Sequence, residues 1–284
     1  KIMSTHPTQF TKQKQFLVCV DSDGCAMDTM NVKHERFFGP LAADEYGIKD
    51  RETFLADWNR INLFSSTRGI NRFKALVLTL IEAQEKGEDI GDISALTDWA
   101  NNAPSLSNAS LEAEIAKASS ADLEKALVWS KKVNEGIETE LAGEDKPFPG
   151  VLEGLTKIHG LTDVAIVSSA NSEALNSEWN RHNLMPQVDV VYGQEVGSKA
   201  DAIADLLTKG YAADEILMVG DAPGDEQAAA VNGVFYYPIL FGKEEFSWER
   251  LSNEAIGKFL NKEYAGEYQA KVLGEFHALL AQFD

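Results

Sequence analysis

Cysteine, cationic side chains and long apolar runs are what this chain has little of. Its two cysteines, Cys19 and Cys25, are too few and too close together to staple a chain of 284 residues. A disulfide framework is thereby excluded, and a reducing compartment is the simplest expectation. No run approaches the roughly 18 apolar residues that read as a membrane span. The amino-terminal stretch KIMSTHPTQFTKQKQ is polar and lacks the apolar centre of a signal peptide, so it reads as a ragged end of a cytoplasmic protein. Lysine and arginine number 26 against 45 aspartates and glutamates, a formal net charge of -19. That balance disfavours nucleic acid or an anionic membrane as a main partner, since both need clustered cations. It leaves a phosphorylated small molecule open, because a bound metal and a few local donors can invert the field inside one crevice. Internal repeats and low-complexity tracts are also missing.

What is present is ordinary globular material, 44% hydrophobic and 25% charged, arranged around one unusual stretch. Phe16, Leu17, Val18, Cys19 and Val20 form an unbroken apolar run rich in β-formers, the pattern of a strand covered on both faces. The run stops at Asp21 and Asp23. Gly24 then allows a tight turn. In an open α/β sheet the carboxyl ends of the strands are where ligands bind, and two carboxylates so close invite a hard cation such as Mg2+. A plain acidic turn after a strand is the other reading of the same residues.

After Thr29 the character changes, and up to about Lys146 helical spacing dominates. Phe73, Leu76, Val77, Leu80 and Ile81 repeat at that spacing within Arg72 to Glu85; Leu123, Leu127, Val133, Ile137 and Leu141 continue the pattern later. Trp58, Trp99 and Trp129 read as core anchors, and NNAPSLSNAS, Asn101 to Ser110, as a loop. The KPFPG run at Lys146 to Gly150 closes this module. Strands and helices then alternate: helix at Val151 to His159, strand at Val164 to Val167, helix at Ser172 to His182, strand at Val188 to Tyr192. A helix at Lys199 to Lys209, with Ser198 and Asp201 as a capping pair, precedes a strand at Ile216 to Val219, a helix at Asp225 to Val231 and a strand at Val234 to Tyr237. Such alternation predicts an α/β fold: a Rossmann-like parallel sheet core with helices on both faces. The predicted organisation is a discontinuous core over 1–30 and 147–243, an all-helical module inserted over 31–146, and terminal helices over 244–284 packed on the core.

If the strands are parallel, their ends can be read as a set. The second ends in Ser168, followed by Ser169, Ala170 and Asn171 before a helix; free N–H groups beside a hydroxyl suit a phosphate oxygen, while simple helix capping is the plainer account. The third leads to Lys199, a cation on the first turn of a helix, where the macrodipole disfavours it unless an anion is near. The fourth ends in Asp221, able to complete a metal site, with Asp225 four residues on, able to ligate, to orient a water, to hold Lys199, or merely to cap the helix.

In this order and spacing the four motifs resemble the haloacid dehalogenase superfamily of aspartate-nucleophile phosphotransferases, over roughly residues 14–30 and 147–237. Read through Asp28 and Thr29, the first motif is most similar to the phosphoglycolate phosphatase and β-phosphoglucomutase branch, in which a helical cap follows it. Here that cap is enlarged, and Cys25 departs from the threonine or valine common in the branch. The resemblance implies Asp21 as nucleophile, Asp23 as general acid and base, and Mg2+ held by Asp21, the backbone carbonyl of Asp23 and Asp221, with Asp225 close by. It further implies that Ser168, Lys199 and the N–H groups of Ser169, Ala170 and Asn171 hold the phosphoryl oxygens, with Gly24 shaping the first turn. The expected activity is a Mg2+-dependent phosphatase of a small phosphorylated metabolite. Gly220 before Asp221, where compared mutases carry glutamate, favours hydrolysis over a phosphomutase, and retention of all four motifs argues against a non-catalytic scaffold. Within the cap, the small, polar and basic stretch Ser65 to Arg72 is expected to form a substrate loop, with Arg68 as its anion contact. Monomer and dimer stay open.

Overall fold

The computed structural model describes residues 4–284, and the chain falls into two compact units. One comprises Lys1–Thr29 and Asp145–Leu279, and the other Met30–Glu144 together with Leu280–Asp284.

The first unit is built on a five-stranded parallel sheet of order β3-β2-β1-β4-β5. The strands are β1 (Leu17–Val20), β2 (Asp163–Val167), β3 (Val190–Tyr192), β4 (Ile216–Gly220) and β5 (Phe235–Pro238). All four residues of β1 are fully buried. A strand in the middle of a sheet with helices on both faces has no wet side, which is why its sequence is continuously apolar rather than alternating. The helices between strands, Val151–Leu161, Ser172–Arg181, Lys199–Leu207 and Pro223–Val231, carry their apolar residues against it. Ser198 and Asp201 form a capping box at the start of the third of these.

The amino-terminal stretch differs from the ragged end expected. Lys1, Ile2 and Met3 lie outside the described residues, but from Ser4 onward the segment is fastened to the core. Thr5 bridges Val190, Lys209 donates to the Pro7 carbonyl at 2.7 Å, and Asp163 accepts the N–H groups of Gln13 at 2.9 Å and Lys14 at 3.0 Å. These bonds span more than 140 residues of sequence, so nothing local in a polar stretch announces them. At the other end of the unit, Glu244–Arg250, Leu251–Ala255 and Ile256–Leu260 run on as one helical stretch with a π-type turn in its middle, followed by Glu267–Ala281.

Every regular element of the second unit is helical, and its core is aromatic. Trp58 and Trp129 are fully buried and meet edge to face with centroids 5.7 Å apart; Phe73 sets its ring against Trp99 at 5.1 Å and Trp129 at 6.1 Å. Helix Arg72–Glu85 occupies the predicted span. The predicted loop Asn101 to Ser110 is shorter than expected: the helix Ser94–Asn102 runs into it, and Asn108–Lys117 begins inside it with Ser107 as cap. Polar residues that suit a loop are also good cap and exposed helix residues, and only tertiary burial of Leu96, Trp99 and Leu111 decides between them. Among the described residues no helix is long and apolar enough to cross a membrane.

Candidate functional site: the carboxyl edge of the sheet

Parallel register brings the strand ends level. Val20 pairs with Ile166 of β2 and Val219 of β4, and Val167 with Tyr192 of β3, so Asp21, Ser168 and the residues after Val219 emerge along one edge. The Asp21 N–H donates to the Val219 carbonyl at 3.0 Å, carrying the pairing one residue past β1 and fixing where the carboxylate leaves the sheet. Gly24 then takes φ +78, a left-handed value that favours glycine. The N–H groups of Cys25, Ala26 and Met27 all converge on the Ser22 carbonyl. This turn leaves Asp23 half-buried, and the Thr29 hydroxyl donates to its carboxylate. Cys25 is fully buried with its thiol toward the Val219 carbonyl, and burial pushes the thiol well up, so it stays a neutral filler.

Three carboxylates meet behind this turn. Oxygens of Asp21, Asp221 and Asp225 lie within 4.8 Å of one another, and all three residues are buried. Lys199 reaches into the group, with Nζ 3.1 Å from Asp21 Oδ1 and 2.6 Å from Asp225 Oδ1. Here is the anion that a lysine at a helix start needs. Burial alone would pull the Lys199 ammonium down, but Asp21 and Asp225 hold it above its ordinary range. Asp21 is pushed the other way for a carboxyl, upward, first by burial and then by the neighbouring Asp225 and Asp221 charges, against the pull of Lys199.

Asp225 has a second task. Its Oδ2 accepts the N–H groups of Asp221 at 3.0 Å and Ala222 at 3.1 Å, tying the β4 end to the following helix. Gly220 makes this possible: a Cβ there would stand 2.4 Å from the Asp225 Cβ. With one oxygen on Lys199 and the other on two amides, Asp225 is engaged as a brace. Asp21 and Asp221 are the members of the trio better disposed toward an ion.

The trio's chemistry fits a hard divalent cation. Three carboxylates against one ammonium leave two negative charges over, in a buried place where like charges repel strongly. A divalent ion bound by oxygen would cancel that surplus.

Beside this group, Ser168 is buried, and its Oγ accepts the Ala170 N–H at 3.1 Å. The Asn171 side chain caps the helix by accepting the Ala174 N–H at 2.8 Å. The backbone N–H groups of Ser169 and Asn171 donate to nothing among the described residues, leaving two donors at a helix start next to a hydroxyl. Behind them, the Gln194 N–H donates to the Ala170 carbonyl at 2.8 Å. The Glu195 carboxylate accepts the Ser172 N–H at 3.0 Å and the Ser172 hydroxyl at 2.8 Å. Partial burial pushes the Glu195 carboxyl up, but its hydrogen bonds with Ser172 and its own N–H outweigh that and leave it lowered.

Arg68 stands in the other unit. It is 3% exposed, and its Nη1 donates to the Leu63 carbonyl at 2.7 Å, a bond that holds the turn after Phe64. In the same stretch Ser66 donates its N–H to the Asp284 carboxylate at 2.8 Å.

Sequence reasoning missed the Thr29 bond to Asp23, the Trp179 indole donating to Ser22 Oγ at 2.9 Å, and Glu195 altogether, whereas for Asp225 it offered both the cap and the hold on Lys199 that the structure has. Only Thr29 left a trace, as part of the first motif. A lone glutamate between a strand and a helix carries no signal.

Residues 101–237 match the family model of haloacid dehalogenase-like hydrolases. The matched stretch holds Ser168, Lys199, Asp221 and Asp225, and begins after Asp21. Among solved structures, a protein described as a predicted phosphoglycolate phosphatase from Haemophilus somnus aligns with TM-score 0.50 and 14% identity over 80% of this chain and 86% of its own. A hydrolase from Pseudomonas syringae aligns with TM-score 0.48 and 17% identity, over 83% and 89% of the two chains. A haloacid dehalogenase-like family hydrolase from Streptococcus pneumoniae gives 0.44 and 17%, over 92% and 98%. At these identities the first of them is a likeness of fold. No curated protein matches.

Proposed function

We propose that this chain, whose residues 101–237 match the family model of haloacid dehalogenase-like hydrolases, is a Mg2+-dependent phosphatase acting on a small phosphorylated metabolite. The observation that carries the reading is the buried Asp21, gripped by Lys199 and crowded by Asp221 and Asp225 at the sheet's carboxyl edge. Burying a carboxylate beside two others is costly, and a nucleophile that must face a phosphate next to a cation is a use that accounts for that cost.

Asp21 Oδ attacks phosphorus, the bond from phosphorus to the ester oxygen breaks, and the phosphoryl group stays on the Asp21 carboxylate. Asp23, held by the Thr29 hydroxyl, gives its proton to the departing oxygen. The same carboxylate then takes a proton from water as that water attacks phosphorus, releasing inorganic phosphate and restoring Asp21. Lys199 and the free N–H groups of Ser169 and Asn171, with the Ser168 hydroxyl, meet the charge on the three equatorial oxygens. Asp21, Asp221 and the Asp23 backbone carbonyl would hold Mg2+, which supplies the charge neutralisation that lets an anionic nucleophile approach an anionic ester. Asp225 keeps Lys199 and the β4 end in place.

The test is phosphate release by purified protein with Mg2+ against a panel of phosphorylated metabolites, including sugar phosphates, phosphoglycolate and nucleotides. Turnover of at least one, lost in Asp21→Asn, supports the reading. An isomerised sugar phosphate without free phosphate would make the protein a mutase, and silence across the panel with intact fold would reject the reading.

A further inference from the structure

Ser168 with its neighbouring amides and Lys199 must hold one phosphoryl group between them, yet they belong to different connections, one after β2 and the other after β3. Those connections are clasped together. The Gln194 N–H holds the Ala170 carbonyl at 2.8 Å, and Glu195 grips Ser172 through its N–H and its hydroxyl. The clasp closes over bare backbone at Gly193, where a Cβ would lie 2.5 Å from Ser172 Oγ and 2.8 Å from Glu195 Oε2. Glu195 is also joined to Lys199 by a short link through Gly197, whose φ of +115 suits glycine.

Asn171, with its free N–H, lies between the two gripped residues, Ala170 and Ser172. Its direction is set from both sides. The Ser172 N–H is itself one of the orphan donors of a helix start, and an anion could drift to it. Glu195 occupies that donor and places a negative charge there, which leaves a phosphate the Ser169 and Asn171 donors.

We propose that Glu195 is a positioning residue of the phosphoryl-transfer site: by holding Ser172 it fixes the Ser169 and Asn171 N–H groups relative to Lys199 and closes the helix start to the anion. The inference rests on the phosphatase reading, and it concerns how the site is aligned rather than which atoms react.

The test is calorimetric binding of orthovanadate with Mg2+, beside thermal melts and steady-state kinetics on a substrate found in the screen. Glu195→Ala, melting cooperatively, is expected to weaken vanadate binding and lower kcat/KM by roughly tenfold, the scale of a small misplacement of donors. Glu195→Gln keeps an acceptor for the Ser172 N–H and should stay within about threefold of wild type. Wild-type vanadate binding by Glu195→Ala, or equal impairment of both variants, overturns the inference. Should Glu195→Ala fail to melt cooperatively, Ser172→Ala, which removes only the hydroxyl contact, is expected to weaken binding about threefold, and unchanged binding there overturns it as well. An active wild type with an unaffected Glu195→Ala sinks this inference alone. A wild type that neither binds vanadate nor releases phosphate sinks the phosphatase reading and this inference with it.

Discussion

Two buried clusters, one in each unit, handle charge in opposite ways. In the helical unit Asp122 and Arg68 each hold backbone groups. Asp122, 5% exposed, accepts the N–H groups of Leu96 at 2.9 Å and Leu123 at 3.0 Å, and Arg68 holds the Leu63 carbonyl. In the sheet unit Asp21, Asp221 and Asp225 are driven together around one lysine. Burial of charge therefore does not mark a functional site by itself. What sets the sheet-unit trio apart is that its carboxylates face further charge of their own sign, whereas Asp122 and Asp163 are answered by donors alone.

Breaking the sheet-unit cluster should give the largest effect. Asp21→Asn is expected to reduce turnover by about 10⁴-fold or more while leaving the melting temperature equal to or above that of wild type, because it removes one repelling charge. Single-turnover phosphate release and a thermal melt check both halves; residual turnover within tenfold of wild type would contradict the assigned nucleophile. The contrasting change in the helical unit is Trp129→Ala. It deletes the centre of an aromatic core and should cost about 3–5 kcal/mol, measured as a fall in the urea midpoint. Lys199→Ala comes next, with roughly 10²–10³-fold lower kcat, on the scale of one lost charge-stabilising donor. The comparison is sharpened by Arg68→Ala, expected to lose about 1–2 kcal/mol of stability through the Leu63 bond. An unchanged urea midpoint in that variant would show that the bond does not hold the turn.

Much of this contrast was legible in the sequence. Five apolar residues ending at Asp21 gave away β1, because a strand wet on neither face leaves no polar position in its own run. The helix Arg72–Glu85 and the Ser198–Asp201 capping box were equally readable, since both are written in residues three or four apart. What stayed hidden is long-range. The π-type turns at His34–Phe38, Arg60–Phe64 and Leu251–Ala255 follow from packing within each unit, not from composition. The grip of Asp163 on Gln13 and Lys14, the indole of Trp179 on Ser22, and Glu195 on Ser172 join residues far apart in sequence, with no spacing rule to link them.

The hold of Asp163 on the amino-terminal arm has one more consequence. β1 is only four residues long, and a slip of one residue would turn each of its side chains to the opposite face. Such a slip would retract Asp21 by about 3.3 Å, farther than a hydrogen bond to Lys199 can stretch. The Gln13 and Lys14 amides, moored to Asp163 on the far edge of the sheet, act as an index pin: they stop the strand from creeping, so that aim at one edge is secured by an anchor at the other.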